Sequence, residues 1–235
     1  MSKKMEKVVG CPSCGVLEPF IVYPSIMIPA DKKLREQILN ENLFLRRCEA
    51  CGYEVHMVYS CLYQDTIRKF MIYVRPQDED QTILEQISVE GLEHIRKRIV
   101  STVEELKEKL LIFEAGLNDY AIELVKTALT QVVTSKWGIA PEKSFYCGLN
   151  NEKNTMEYVF YLNEEEAPVY QSMKIDVYHA SLPIVASIIT QEPNMFLCVN
   201  SDVANRILKK HQKTQQMQKQ EQQSDGNQQE NKSKD

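Results

Sequence analysis

The chain has 235 residues, 43% hydrophobic and 26% charged, so it can bury a sizeable core as one large domain or two small ones. Its net charge of −5 argues against a general electrostatic attraction to nucleic acid or anionic membrane. Residues 209–235 hold six lysines against four acids, so the remaining 208 residues carry a net charge of −7.

The N-terminus and the apolar segments predict a cytoplasmic protein with no membrane partner. Lys4 and Lys7 are followed by Cys11 instead of the apolar stretch of a secretory signal. The longest apolar stretch, at 182–189, is far too short to cross a bilayer. The seven cysteines are an odd number, and four of them form tight pairs, which favours a metal over disulfides in a reducing compartment.

The sequence contains two Cys-x-x-Cys-Gly motifs, CPSCG and CEACG, with 33 residues between Cys14 and Cys48. Each turn directs two thiolates toward one point, and the glycine after it can adopt a positive φ that points backbone N–H groups at the sulfurs. Four thiolates are the closed tetrahedral set that Zn²⁺ prefers in structural sites. The sequence therefore predicts a structural zinc site formed by Cys11, Cys14, Cys48 and Cys51.

The energetics favour this site. Closing a loop of this length costs roughly 3 kcal/mol, whereas zinc binding by thiolates supplies about 10–16 kcal/mol in small domains. The four-thiolate zinc centre has a formal charge of −2, which Arg46, Arg47 and Lys7 can offset. Because all four ligands are cysteine, no coordination position remains for water, and catalysis at the metal is not expected.

Other chemistries for the paired cysteines remain open. Iron in a rubredoxin-like site suits the same four thiolates. Two disulfides or a thioredoxin-like redox pair fit less well, because a Cys-x-x-Cys disulfide is strained and a redox pair needs only one motif. Cys61, Cys147 and Cys198 have apolar neighbours and are predicted to be small buried residues, and His56 is predicted to lie on a strand surface.

The first 80 residues are predicted to be a zinc-ribbon-like unit with a strand and a helix inserted between the cysteine pairs. A return strand would deliver Cys48, one strand would cover EVHMVYSCLY, and another KFMIYV.

Residues 81–136 are predicted to be helical. Thr102 and Glu105 have the spacing of a capping box, Gly116 suits a helix end, and Asn118 or Asp119 can cap a second helix. The two helices would form an antiparallel hairpin.

Residues 137–211 are predicted to contain an antiparallel pair of strands, at 156–162 and 169–177, and a last helix starting near Ser201. Residues 212–235 are rich in Gln, Lys, Asn and Ser and are predicted to be disordered. The expected fold class is therefore α+β: a zinc-ribbon-like four-cysteine unit with a strand–helix insertion, a helical hairpin and a small antiparallel β region.

Four segments carry a resemblance to a known family: CPSCG, CEACGY, VYSCLYQDTIRKFMIYVRP and EKLLIFEAGLNDYAIELVK. Together they resemble bacterial CpXC-domain proteins over roughly residues 5–135. The last segment makes the resemblance specific, since many ribbons share the cysteine motifs. The second motif departs from the family name, with Glu49 where proline is expected. The resemblance implies a metal-type site and no established reaction.

Three classes of function remain. The preferred one is a non-catalytic module that binds another protein, because the metal site is saturated and no catalytic motif is found. The second is a nucleic-acid-binding regulator, suggested by the cations and aromatics near the cysteines: Lys3, Lys4, Lys7, Arg35, Phe44, Arg46, Arg47 and Tyr53. The acidic body opposes it.

An enzyme is the least favoured and would need His94 or His179 beside a carboxylate with a perturbed pKa. The pairs Glu104/Glu108 and Asp119/Glu123 are predicted to lie on solvated helix surfaces. The sequence does not define an oligomeric state.

Overall fold

The computed structural model describes residues 2, 4–77, 79, 87, 89–163 and 165–232. The fold is mixed α+β, with five helices and four small sheets in this described part of the chain. Lys3, the last residues of the tail and the predicted unit boundary near residue 80 lie outside the described residues.

Two short hairpins carry the paired cysteines. In the first, β1 (Met5–Gly10) pairs antiparallel with β2 (Leu17–Val22), and in the second, β4 (Leu45–Arg47) pairs antiparallel with β5 (Glu54–His56). Between them lie β3 (Ser25–Ile28) and α1 (Lys32–Leu39). The predicted strand, helix and return strand between the cysteine pairs are therefore confirmed. The single strand predicted over EVHMVYSCLY is instead two, because the chain leaves β5 and enters β6 (Cys61–Asp65) in another sheet.

The central sheet has the order β3-β6-β7-β8 and links the first two predicted units. β7 (Phe70–Val74) is buried along its whole length and pairs parallel with β8 (Arg96–Val100). The sequence assigned 81–136 to helix alone and so missed β8. Its sequence, RKRIV, contains three cations and does not show the apolar run typical of a buried strand.

The helical hairpin is confirmed. α2 (Val103–Glu114) begins at a complete Thr102/Glu105 capping box, and Gly116 follows its end with φ of 70°. α3 (Asp119–Trp137) begins at Asn118, whose side chain accepts hydrogen bonds from the backbone N–H groups of Tyr120 and Ala121. These caps satisfy donors that a helix N-terminus otherwise leaves without partners.

We expect Thr102→Ala to lower the free energy of unfolding by about 1 kcal/mol, because it removes the capping oxygen. Urea denaturation measures the change. Thr134→Ala is the matched control, since that hydroxyl only bonds the Thr130 carbonyl within α3, and a change under about 0.5 kcal/mol is expected. Equal losses in the two variants would contradict a capping role for Thr102.

The C-terminal part of the chain has more structure than the sequence predicts. β9 (Lys143–Asn150), β10 (Thr155–Tyr161) and β11 (Val169–Lys174) form a three-stranded antiparallel sheet. The strand predicted over 169–177 stops at Lys174, and α4 (Ile175–Ile188) follows immediately. Tyr178, Ser181 and Val185 are buried at helical spacing in α4, whereas the sequence prediction extended the strand alternation through Val177.

The last helix, α5 (Ser201–Lys232), starts where predicted but continues through the segment predicted to be disordered. Its Gln, Lys and Glu residues have good intrinsic helix propensity, which the prediction from apolar content left out. One hydrophobic core extends from Ile26 in β3 to Ile207 in α5, so the predicted units share it. No helix in the described residues is long and apolar enough to span a membrane.

Candidate metal centre

Each Cys-x-x-Cys-Gly motif forms the tip of one cysteine hairpin, and the two tips have matching geometry. The Cys11 N–H donates to the Val16 carbonyl at 2.9 Å, and the Gly15 N–H donates to the Cys11 carbonyl at 2.9 Å. In the second tip the N–H of Cys48 donates to the carbonyl of residue 53, and that of Gly52 to the Cys48 carbonyl, also at 2.9 Å. The glycines have φ of 74° and 75°, a conformation that other residues rarely adopt.

The four sulfurs meet at one point. The Sγ atoms of Cys11 and Cys51 are 3.7 Å apart, those of Cys14 and Cys48 are also 3.7 Å apart, and all four lie within 4.8 Å of one another. A tetrahedral metal with bonds of about 2.3 Å to sulfur needs its sulfurs about 3.8 Å apart. The cluster therefore fits one four-coordinate ion, and this spacing suits zinc and iron equally.

The thiols need a cation to be ionised together. The backbone N–H of Cys14, with smaller contributions from other hydrogen bonds, lowers the pKa of Cys11 to about 6. The backbone N–H of Cys51 also favours the Cys48 thiolate, but burial and the neighbouring thiols outweigh it and raise the pKa of Cys48 to about 12. Four thiolates this close repel one another, so a bound cation would hold them in the ligating form.

Arg46 and Glu18 connect the two cysteine hairpins beside the cluster. The buried guanidinium of Arg46 donates to the carbonyls of Val9 and Gly10 at 3.0 and 2.9 Å and pairs with Glu18 at 3.2 Å. The Glu18 carboxylate also accepts from the backbone N–H of Glu49 at 3.0 Å. These contacts fix how one tip faces the other, so the cluster has structural support beyond its ligands.

Most of the cations predicted near the cysteines have carboxylate partners. Arg46 is paired with Glu18, and Arg47, also predicted to offset the cluster's charge, is exposed with its guanidinium 3.7 Å from Glu54. Arg35, predicted only for a nucleic-acid surface, forms a close ion pair with Glu114. Lys7 is exposed on β1. Of the two predicted aromatics, Phe44 is fully buried and Tyr53 is exposed. The burial of Arg46 and Phe44 and the ion pairs of Arg35 and Arg47 oppose a basic surface with aromatics between the cations.

The remaining cysteines lie outside the cluster. Cys61 is fully buried, as predicted, and burial raises its pKa to about 12. Cys147 and Cys198 are exposed, which corrects the prediction that they are buried. His56 is exposed on β5, as predicted.

A buried charge network lies away from the cysteines and was missed by the sequence prediction. Arg98 is completely buried and forms two hydrogen bonds with Asp119, at 2.6 and 2.9 Å. The Lys109 ammonium lies 3.2 Å from Asp119 and 3.7 Å from Glu123. The prediction that Asp119 and Glu123 are solvated is therefore wrong.

A lysine between two glutamates continues the network. The Lys126 ammonium lies 2.8 Å from Glu108 and 3.0 Å from Glu123, and Glu108 also accepts from the backbone N–H of Tyr146. Glu108 is therefore also buried, contrary to prediction. Burial and the nearby Glu108 charge raise the pKa of Glu123, although Lys126 and Lys109 oppose this.

The sequence contains a signal for this burial. Residues 121–125 read AIELV, so Glu123 lies in a helix that is apolar on nearly every side and has no solvent face there. The network borders a cavity of about 320 Å³. The cations and carboxylates of the network are paired with one another. In the described residues, neither His94 nor His179 hydrogen-bonds to a carboxylate.

A mixed α+β fold with four cysteines gathered at one point defines a class of proteins with a potential metal site. A family model described as CpXC protein matches residues 9–126, about half of the chain. The chain therefore belongs to the CpXC family. The match includes all four cysteines and the six residues of the buried charge network described above, Arg98, Glu108, Lys109, Asp119, Glu123 and Lys126. No curated protein and no solved structure matches the chain.

Proposed function

We propose that the chain is a cytoplasmic, zinc-binding and non-catalytic module that docks another protein through a zinc-ribbon-like head. The site would be structural, because four thiolates fill a tetrahedral zinc and leave no position for water or substrate. The tetrahedral spacing of the sulfurs and the two matching hairpin tips support this head.

The docking proposal rests on the exposed apolar side chains on one face of the β1–β2 hairpin. Residues paired across antiparallel strands project to the same side, and here Val8 pairs with Pro19 while Leu17 and Ile21 lie further along β2 on that side. Leu17 is 71% exposed, Val8 67% and Ile21 37%. We call these four residues the hairpin patch.

The opposite side of β2 differs from the hairpin patch. Glu18, Phe20 and Val22 are partly or fully buried, with Phe20 against the ring of Tyr59 and Glu18 against Arg46. The hairpin thus uses one side to join the body and leaves its apolar side uncovered. Contiguous exposed apolar surface on a soluble protein is typical of an interaction site. The partner proposed is a protein with an apolar surface or strand.

The test is capture of partners from the native cells with the purified chain, followed by affinity measurement on any partner recovered. The patch variant carries Val8→Glu, Leu17→Glu and Ile21→Glu. We expect it to keep its metal content and to lose at least about tenfold in affinity, because charges in an apolar contact must be desolvated.

The control variant carries the same number of new charges at other exposed apolar positions, Ile67→Glu, Tyr170→Glu and Met195→Glu. It should bind as the unchanged chain does. Equal binding by the patch variant, or equal loss in both variants, would contradict the hairpin patch. A labelled oligonucleotide, added at about 50 and about 200 mM salt, tests the nucleic-acid alternative, which requires stronger binding at the lower salt.

A further inference from the structure

A second cavity lies far along the chain from the cysteines, between the end of α4 and the first turns of α5. Its volume is about 310 Å³, at the small end of the range for ligand pockets. The segment that follows α4 closes one side, and α5 forms the other. Its walls are mainly aliphatic, with contributions from Ile188, Ile189, Pro193, Leu197, Val199, Val203 and Ile207.

Two cations lie on the α5 side of this cavity. Arg206 and Lys210 are four residues apart, so both project from the same face of the helix. Both are exposed, and in the described residues neither has a carboxylate within ion-pair distance. The cavity lining contains no aspartate or glutamate. The local field therefore favours an anion at the mouth.

Tyr120 also lines the cavity and carries a polar group. Its side chain belongs to the lining, although the residue is only 4% exposed. The Arg98 guanidinium lies 5.1 Å from the ring centroid and packs against the ring. Within the described chain the Tyr120 hydroxyl has no hydrogen-bond partner. The hydroxyl oxygen retains some contact with solvent, so it is available to a ligand.

We propose that this cavity binds a small amphipathic anion, a carboxylate with a short hydrocarbon chain. The chain would fill the aliphatic walls, and the carboxylate would pair with Arg206 and Lys210. The apolar walls disfavour free inorganic anions, which offer nothing to bury. The absence of acidic lining disfavours amphipathic amines. The proposal is independent of the docking function.

Isothermal titration calorimetry with octanoate tests the proposal on the full chain, with octylamine and 1-octanol as matched probes. Octanoate should bind at least about tenfold more tightly than either, since a tenfold ratio corresponds to only 1.4 kcal/mol. Its affinity should fall as salt rises, because the cations are exposed.

The decisive variant is Arg206→Glu with Lys210→Glu, which should weaken octanoate binding by at least about tenfold. Lys209→Glu with Lys213→Glu is the matched control: it makes the same charge change with the same spacing on α5, but neither residue lines the cavity. It should change binding by less than about threefold, because long-range interactions of exposed charges are screened. Tyr120→Phe should cost about two- to tenfold, the effect of one hydrogen bond.

Three outcomes would overturn the proposal. If octylamine bound as tightly as octanoate, the two cations would have no role in recognition. Equal losses of octanoate affinity in the two charge variants would lead to the same conclusion. Binding to phosphatidylglycerol vesicles without any octanoate binding would assign the cations to a lipid surface instead. Circular dichroism and the unfolding midpoint identify any variant that fails to fold, and the octanoate, octylamine and octanol comparison on the unchanged chain then still decides.

Discussion

Cys48→Ser is expected to cause the largest loss of local structure of any single change in this chain. A metal bound by the cluster would join two hairpins whose cysteine pairs are separated by 33 residues, and short two-stranded hairpins are marginal on their own. Four-thiolate zinc binding supplies about 10–16 kcal/mol in small domains, far more than the roughly 3 kcal/mol needed to close the intervening loop. Without one thiolate, both cysteine hairpins should lose their order.

Amide hydrogen exchange measures this effect by segment. Residues of β1, β2, β4 and β5 should lose protection in Cys48→Ser, while the core of α2 and α3 should keep most of its own. Cys147→Ser is the control, because that cysteine is exposed and lies outside the cluster. Unchanged protection of the hairpins in Cys48→Ser would show that the metal does not organise them.

Asp119→Ala is expected to have the largest effect on global stability, about 3–5 kcal/mol, because it leaves Arg98 and Lys109 buried without their shared carboxylate. Urea denaturation measures the loss. Asp176→Ala is the matched control, since Asp176 is also in the first turn of a helix but is exposed. It should cost under about 1 kcal/mol.

The buried charge network should also make the free energy of unfolding depend on pH. Burial opposes ionisation of Asp119, but Lys109 and Arg98 outweigh it and hold the pKa of Asp119 well below its usual value. A carboxyl with a lowered pKa contributes stability that is complete above its unfolded value of about 3.9 and is lost as the pH falls below it. The free energy of unfolding should therefore drop below about pH 4, and this slope should be shallower in Asp119→Ala. Equal slopes would contradict the assignment.

The four-cysteine cluster could be predicted because its determinants are local. Spacing within Cys-x-x-Cys-Gly fixes the direction of two thiolates, and the repeated motif implies a common ion whatever path the chain takes between Cys14 and Cys48. The helical hairpin was predictable for a similar reason, since Thr102, Glu105 and Asn118 cap helices through contacts within a few residues.

The structural features that the sequence did not predict depend on residues that lie far away along the chain. β8 is ordered by parallel pairing with β7, and its buried Arg98 is compensated by Asp119, which lies 21 residues away. Charge alone predicts a solvated side chain at each of these positions. The predicted end of β11 was wrong and α4 was missed, because the apolar residues from Val169 to Val177 fit strand alternation and hid the start of the helix at Ile175.

The most direct test of the proposed zinc site is the metal content of the chain, purified under reducing conditions and measured by elemental analysis together with native mass spectrometry. We expect one zinc ion per chain and none in Cys11→Ser or Cys48→Ser. A native chain free of metal, a chain holding iron in place of zinc, or a variant that retains its full zinc content would contradict the proposed site.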